Sequence, residues 1–220
     1  MPIELKHIVK HYLVLCEGKD EVNFLVNYLE SDALAFDHRF SNDIQVLDFG
    51  GNSDLCNFLM SLRNMDRFDQ VTSVAVIRDA EKDFDKACRE VKYSLKKSGF
   101  IVPKQSGTWE ADCSGMKIGF ILLPLDNGAG TLEDLCLRIL SEKNSKEIIS
   151  STNAFLSEME NNYGRVYHRK HKNVLHTYFS ASDKYVTMPI GRASQSGAFD
   201  WESEKLIPLL RFLNEGFIHS

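Results

Sequence analysis

Short apolar runs alternate with helical patterns of apolar residues through the first two thirds of the chain. The continuous apolar run at Tyr12–Cys16 predicts a strand buried on both faces. Three more strands are predicted over residues 43–49, 71–77 and 118–123. After the first strand and its glycine turn, residues 20–30 predict a helix with Asp20 as its N-cap. Repeated strand–helix units predict an α/β fold with a Rossmann-like parallel sheet flanked by helices.

The remainder of the chain is less regular. Residues 100–116 fit either an exposed hairpin or a mobile loop, and the Gly- and Ser-rich residues 180–199 predict a loop. A closing helix is predicted over residues 201–214. We therefore predict an α/β core over residues 1–143 and a helical extension over residues 144–220, packed together as one compact domain.

Composition narrows the class of protein. The chain has 220 residues, of which 43% are hydrophobic and 26% charged, as expected for a folded globular protein. Its net charge of -5 argues against a general nucleic-acid coat protein, but it leaves room for a nuclease with a local basic groove. The five cysteines are spaced too widely for a zinc knuckle. With no secretory segment and no apolar run near the roughly 20 residues that cross a bilayer, we expect a cytoplasmic protein without a membrane partner.

Carboxylates follow the predicted strands at one edge of the sheet. Glu17 comes directly after the first strand, and Asp79 and Glu81 follow the third. Because the carboxyl ends of parallel strands share an edge, these side chains should converge. Carboxylates crowded together repel each other unless a cation lies between them, and Mg²⁺ or Mn²⁺ suits such oxygen ligands. Each segment alone is more simply explained by a turn and a helix cap, but the joint pattern favours a metal site.

Two acidic segments resemble those of the Toprim superfamily. Glu17-Gly18-Lys19-Asp20 resembles its Glu-Gly-x-x-Asp motif, and Asp79-Ala80-Glu81 resembles its Asp-x-Asp motif, with glutamate as the second acid. Gly130-Thr131-Leu132-Glu133-Asp134 resembles the Gly-x-Leu-Glu stretch of OLD-family nucleases and of small stand-alone Toprim-like proteins. The resemblance covers roughly residues 10–142 and implies a Toprim-like fold. Within the third segment, Thr131 and Asp134 have the spacing of a capping box.

The resemblance also implies roles for individual residues. The implied ligands of a divalent metal, Mg²⁺ or Mn²⁺, are Glu17, Asp79 and Glu81, with Asp20 and Glu133 in support and Asp83 as a rival of Glu81. The implied catalytic residues are Glu17, in an acid/base role or as a direct ligand, Asp79, and Lys184 as a lysine that stabilises phosphate charge. For Lys184, a solvated surface lysine is the alternative interpretation.

Two further segments carry candidate binding residues. A basic segment around Tyr167 predicts contacts with nucleic acid, with a solvated loop or helix face as the alternative. Its candidate residues are Arg165, Arg169, Lys170 and Lys172. The pair Gly50 and Gly51 precedes a predicted helix, so its amides are candidates for phosphate binding, with a plain tight turn as the alternative.

The predicted function is that of a metal-dependent nuclease or related phosphoryl-transfer enzyme acting on nucleic acid, with DNA favoured over RNA. The chain contains no P-loop motif, so an OLD-type ATPase would have to be a separate partner, as would any defence-system protein. One alternative is a non-catalytic Toprim-like module that binds nucleic acid or a partner protein. Another is a nucleotide-handling phosphotransferase that uses the glycine pair.

Overall fold

One five-stranded sheet organises the described part of the chain, which in this computed structural model comprises residues 7–31, 42–51, 54–142 and 145–217. The strands are β1 (Tyr12–Cys16), β2 (Ile44–Asp48), β3 (Ser73–Asp79), β4 (Thr108–Ala111) and β5 (Lys117–Leu123). Their order is β2-β1-β3-β5-β4. All neighbours are parallel except β4, which pairs antiparallel with β5. The predicted α/β fold with a Rossmann-like parallel sheet is therefore confirmed.

Helices cover both faces of this sheet and form a C-terminal extension. In the described ranges they are α1 (Lys19–Leu29), α2 (Leu55–Leu62), α3 (Phe84–Lys97), α4 (Leu132–Ser141), α5 (Lys146–Tyr163), α6 (Lys170–Ser180), α7 (Ile190–Gln195) and α8 (Ile207–Phe217). Short 3₁₀ turns occur at Phe68–Gln70 and Glu204–Leu206. None of these helices combines the length and the apolar character that a bilayer crossing requires.

Alternate residues of the central strands enter two different cores. Leu15 of β1 points to the face covered by α2 and α3, where Leu59 and Val91 are buried. Val14 points to the opposite face, which is covered by α1, α4 and the C-terminal helices. Because both faces are buried, the strands consist of continuous apolar runs, and this is why the sequence predicts them well.

The start of α1 differs from the prediction. The helix begins at Lys19 with Gly18 as its N-cap, so the prediction that Asp20 caps it was wrong. The Asp20 carboxylate instead accepts a hydrogen bond from the backbone N–H of Gly191, at 3.1 Å. Asp20 therefore ties α1 to the C-terminal extension and satisfies a backbone donor at the start of α7.

Two of the irregular segments are ordered by packing. Residues 100–116 contain β4, so the hairpin alternative is confirmed and the mobile loop is not. Residues 180–199 contain α7, so the prediction of a loop was wrong there. Position 191 of this helix requires glycine, because a Cβ there would lie only 2.5 Å from the Asn23 Cβ of α1. Close packing against α1, rather than chain flexibility, accounts for that glycine.

The closing helix α8 is fixed to the sheet through Trp109 of β4. The Trp109 indole Nε1–H donates to the Phe212 carbonyl oxygen at 2.8 Å, and the two rings stack with centroids 4.7 Å apart. Gly216 permits this approach, since a Cβ there would lie 2.0 Å from the Trp109 ring. The Ser73 hydroxyl also donates to the Gly216 carbonyl oxygen at 2.9 Å.

Replacing Trp109 by alanine should therefore lower the free energy of unfolding by about 3 kcal/mol, through lost ring packing and one lost hydrogen bond. Denaturant unfolding followed by circular dichroism would measure the change. Phe155→Ala is the matched control, because Phe155 is 49% exposed on α5 and should cost less than about 0.5 kcal/mol. Equal losses in the two variants would contradict the anchoring role of Trp109.

Candidate functional site

The first strand and the central strand end side by side at one edge of the sheet. In the parallel register of β1 and β3, Cys16 pairs with Ile77, so Glu17 follows β1 next to the end of β3. Paired strands lie about 4.8 Å apart, which brings Glu17 and Asp79 to the same edge. The negative charge of Glu17 also contributes to a raised pKa at Asp79. The two carboxylates thus share one electrostatic environment, as the sequence predicted.

Asp79 is the most deeply placed carboxylate at this edge. Its side chain is 6% exposed, and Oδ1 accepts a hydrogen bond from the Leu132 N–H at the start of α4, at 2.9 Å. Burial, together with the negative charges of Glu21, Glu17 and Glu133, raises the pKa of Asp79 to about 8 despite that hydrogen bond. Asp79 is therefore held in place by the backbone and destabilised as an anion by its neighbours.

Glu17 lies at the same edge in a half-buried position. Burial raises its pKa to about 7, an effect opposed by the guanidinium of Arg78 and reinforced by Glu21 and Glu81. One carboxylate oxygen, Oε2, is buried and has no hydrogen-bond partner among the described residues. A buried carboxylate oxygen without a donor is costly, so this atom is available for a ligand or a proton.

Glu133 reaches the cluster from the first turn of α4. Thr131 and Asp134 form the predicted capping box, which fixes this turn next to Asp79. The Glu133 carboxylate accepts from the Thr131 hydroxyl at 2.7 Å and pairs with the Lys172 ammonium at 2.7 Å. Although burial acts in the opposite direction, these two contacts hold the pKa of Glu133 below its usual range. Lys172, predicted to contact nucleic acid, here supplies positive charge to the acidic cluster.

Glu21 is a member of the cluster that the sequence analysis missed. Burial raises its pKa, and the charges of Glu133 and Asp20 act in the same direction. Glu21 lies four residues after Glu17, which is the spacing of the second acid in the Glu-Gly-x-x-Asp motif. That spacing would have identified it, whereas Asp20 lies one position too early and binds the Gly191 amide. We refer to Glu17, Glu21, Asp79 and Glu133 as the acidic cluster.

The two remaining predicted metal ligands lie further out. Glu81 is exposed in a left-handed conformation (φ 57°), and its backbone exchanges two hydrogen bonds with Gly130, of 2.8 and 2.7 Å. Asp83 is exposed and caps α3, its Oδ1 accepting from the Lys86 N–H at 2.8 Å. The simpler interpretation as a helix cap thus describes Asp83, while Glu81 forms the rim of the site.

A cleft of about 490 Å³ opens beside the cluster, and we call it the main cleft. Its lining residues are Glu81, Lys82, Ala129, Gly130, Thr131, Asp134, His168, Arg169, His171 and Lys172. One wall is therefore mainly basic and comes from the segment before α6 and the start of that helix. The other wall is formed by the two loops that follow β3 and β5. The His171 Nε2 atom is buried there without a hydrogen-bond partner in the described residues.

The other predicted binding residues are dispersed. Arg165 is exposed just beyond the end of α5, and the Lys170 ammonium pairs with Glu160 at 2.6 Å. Lys184 is exposed, with its ammonium 5.2 Å from the centroid of the Tyr185 ring, and it does not line the main cleft. A catalytic role for Lys184 therefore remains a prediction without a supporting contact.

The glycine pair after β2 forms a tight turn. Gly50 and Gly51 have φ angles of 92° and 126°, which side-chain-bearing residues rarely adopt. The Gly51 carbonyl accepts from the Asp54 N–H at 3.0 Å, and Asp54 is the N-cap of α2. The turn alone explains both glycines, and phosphate binding by their amides remains a prediction.

The residues of the acidic cluster have the donor chemistry for a divalent cation, although the side chains are not grouped around one point. Across the described ranges, no three His, Cys, Asp or Glu side chains stand in a ready-made coordination geometry. The raised pKa values of Asp79 and Glu17 show that negative charge is unfavourable there, which a bound cation would reverse. The partnerless Oε2 of Glu17 is a suitable ligand atom. Carboxylate oxygens of this kind suit Mg²⁺ and Mn²⁺.

Comparisons with known proteins place the chain in a family. No curated protein and no solved structure matches it. A family model described as a protein of unknown function, DUF3226, matches residues 11–218. That match runs from the start of β1 to the end of α8 and includes the whole acidic cluster. The chain therefore belongs to the DUF3226 family.

Proposed function

We propose that the protein is a metal-dependent nuclease, or a related phosphoryl-transfer enzyme, that acts on nucleic acid at the acidic cluster. The observation that carries the proposal is the environment of Asp79, whose pKa is raised to about 8 by burial and by the negative charges of Glu21, Glu17 and Glu133. Carboxylates that destabilise one another in a cleft are a frequent mark of a functional site. Nearby basic side chains would attract a polyanionic substrate.

In this proposal Asp79 holds Mg²⁺ or Mn²⁺, with Glu21 and Glu133 as further oxygen donors, and Glu17 lies beside the ion as the acid/base residue. Such an ion acts as a Lewis acid on a phosphoryl oxygen. The backbone N–H of Leu132 fixes the orientation of Asp79, so little rearrangement is needed at that side chain. Lys172 would give up its contact with Glu133 and become available to a substrate phosphate.

Glu17 is suited to accept a proton from the attacking water. Its pKa is about 7 in the metal-free fold, and a neighbouring cation would favour the carboxylate form, which is the form that accepts a proton. Its Oε2 atom has no competing hydrogen bond in the described structure. The guanidinium of Arg78, whose charge stabilises the Glu17 carboxylate, would also offset the charge that develops on the phosphate.

We propose that the acidic cluster corresponds to the acidic site of Toprim proteins. In this correspondence Glu21, instead of Asp20, is the second acid of the first motif. The proposed function favours DNA over RNA as the substrate and allows a separate ATPase or defence-system protein as a partner. All five cysteines are unpaired, which is compatible with the reducing cytoplasm that we propose as its location.

Nicking of supercoiled plasmid tests the proposal. The purified protein should convert the plasmid to open-circular and linear forms with Mg²⁺ or Mn²⁺ and should be inactive in EDTA. Linear duplex, single-stranded DNA and RNA should be assayed in parallel, because the substrate class is part of the test. No metal-dependent cleavage of any of these four substrates would overturn the nuclease proposal.

The Lys172–Glu133 ion pair favours a second candidate, a non-catalytic module that binds nucleic acid or a partner protein. In the described structure the lysine ammonium lies 2.7 Å from the Glu133 carboxylate, so part of the negative charge is already neutralised without a metal. Such a module would bind oligonucleotides equally well in Mg²⁺ and EDTA and would leave them intact.

A further inference from the structure

We infer that the outer face of α3, together with the turn that precedes it, is the track on which the backbone of the nucleic acid lies. The inference rests on the proposed function for the class of ligand. It assigns the substrate to a surface other than the predicted basic segment around Tyr167. Its support is the succession of three adjoining clefts, the local charge, one buried arginine and one exposed tyrosine.

The main cleft continues into a second cleft around the turn after β3. This second cleft has a volume of about 400 Å³ and shares Glu81 and Lys82 with the main cleft. Its lining residues are Arg78, Ala80, Glu81, Lys82, Asp83, Lys86, Ala87 and Glu90. A strand leaving the acidic cluster could therefore pass over this turn without losing contact with the protein.

The second cleft continues in turn into an open groove between α2 and α3. The groove has a volume of about 840 Å³ and shares Lys86 and Glu90 with the second cleft. Its further lining residues include Arg89, Tyr93 and Lys97, which follow Lys86 along the exposed face of α3. The three clefts thus adjoin one another through shared lining residues, and the first of them is lined by Thr131 and Lys172, which contact Glu133 of the acidic cluster.

This groove carries a local excess of positive charge in a chain whose net charge is -5. The second cleft and the groove are lined by the cations Arg78, Lys82, Lys86, Arg89 and Lys97 and by the carboxylates Glu81, Asp83 and Glu90. Asp83 caps α3, and Glu90 pairs with both Arg78, at 2.6 Å, and Lys86, at 3.8 Å. The remaining cations are placed to neutralise phosphates along a strand.

Arg78 connects the track with the acidic cluster. Its side chain is only 4% exposed, yet it lines the second cleft and its Nε has no hydrogen-bond partner among the described residues. Its charge also lowers the pKa of Glu17, so it acts on both sites at once. A buried guanidinium held by Glu90 places fixed positive charge between the track and the acidic cluster, where it would attract a phosphate.

Tyr93 offers a surface on which a base can stack. The ring is 63% exposed in the middle of the groove, and the Lys97 ammonium lies 5.8 Å from its centroid. An aromatic ring flanked by cations is a common arrangement for binding single-stranded nucleic acid without sequence preference. In the predicted basic segment Lys170 and Lys172 pair with two separate carboxylates, whereas the track's paired cations, Arg78 and Lys86, share the single carboxylate of Glu90.

Binding of fluorescent oligonucleotides in EDTA tests the inference without cleavage. The track variant carries Arg89→Ala, Tyr93→Ala and Lys97→Ala. The matched control carries Lys146→Ala, Tyr163→Ala and Arg211→Ala, which also removes two cations and one exposed tyrosine, but from helices on the other face of the sheet. Circular dichroism and melting curves should show that both triple variants remain folded. Anisotropy should show a loss of about 10-fold or more for the track variant and less than about 2-fold for the control.

Salt dependence gives a second, independent readout. Removing two phosphate contacts should reduce the slope of log affinity against log salt concentration by about 1.5 in the track variant. Equal binding by both triple variants, with a wild-type protein that cleaves, would overturn the track and leave the proposed function standing. A wild-type protein that neither binds nor cleaves nucleic acid would overturn both. Binding of polyglutamate in preference to every oligonucleotide would overturn the track in favour of an acidic protein partner.

Discussion

Replacing Glu17 by glutamine should lower the rate of metal-dependent nicking by about 10²–10⁴-fold, the usual loss when a general base is removed. Glutamine keeps the size of the side chain but cannot take up the proton. The structure supports the role because burial raises the pKa of Glu17 to about 7 and leaves its Oε2 without a partner in the described residues. Plasmid nicking at saturating Mg²⁺ would measure the loss.

Two neighbouring acids provide the controls for that measurement. Glu21→Gln should also lower the rate strongly, because Glu21 belongs to the acidic cluster. Asp20→Asn should change the rate by less than about 3-fold, because the Asp20 carboxylate is bound to the Gly191 amide and an amide oxygen can accept the same bond. A stronger effect at Asp20 than at Glu21 would restore the original motif assignment and contradict the corrected one.

Replacing Asp79 by asparagine should stabilise the metal-free fold while abolishing activity. In EDTA at pH 8 we expect the free energy of unfolding to rise by roughly 3 kcal/mol, within the roughly 5 kcal/mol that the pKa difference allows. The pKa of Asp79 is about 8 in the fold and ordinarily 3.8, so the folded chain keeps a proton that the unfolded chain releases. That contribution to stability is complete below about pH 4 and is lost as the pH rises through about 8.

The difference between wild type and Asp79→Asn should therefore be small near pH 4 and should grow towards pH 8. Urea unfolding at several pH values would measure it. Adding Mg²⁺ should reverse the order, since a ligand that binds only the folded wild type stabilises it by mass action. An Asp79→Asn variant that is less stable at every pH would show that the carboxylate is not crowded in the way described.

The sheet, the shared edge of Glu17 and Asp79, and the capping box of α4 can all be predicted from local sequence features. Continuous apolar runs specify buried parallel strands, and the carboxyl ends of such strands meet at one edge, so Glu17 and Asp79 could be placed together in advance. The capping box at Thr131 and Asp134 was equally readable, because it depends only on residues within one turn. Local sequence patterns are sufficient to predict the place of a side chain when the residues that position it are its neighbours in the sequence.

The contacts of Lys172 and Asp20 join segments that are distant in the sequence. Lys172 belongs to a basic segment that looks like a solvated surface, yet α6 carries its ammonium to Glu133 of α4. The same limit applies to Asp20. Its partner Gly191 lies in α7, a helix that the Gly- and Ser-rich sequence does not predict. The succession of clefts past the turn after β3 and along α3 is a property of the assembled surface, and no single segment of the sequence encodes it.

A manganese-soaked crystal of the wild-type protein would show where the ion binds, because the anomalous scattering of manganese locates it independently of any assay. We expect an anomalous peak at the edge of the sheet, within ligand distance of the Asp79 carboxylate and of Glu21 or Glu133. We also expect the peak to disappear in Asp79→Asn crystals soaked in the same way. A wild-type protein that cleaves plasmid with Mn²⁺ but binds the ion only elsewhere would show that the acidic cluster is not the metal site.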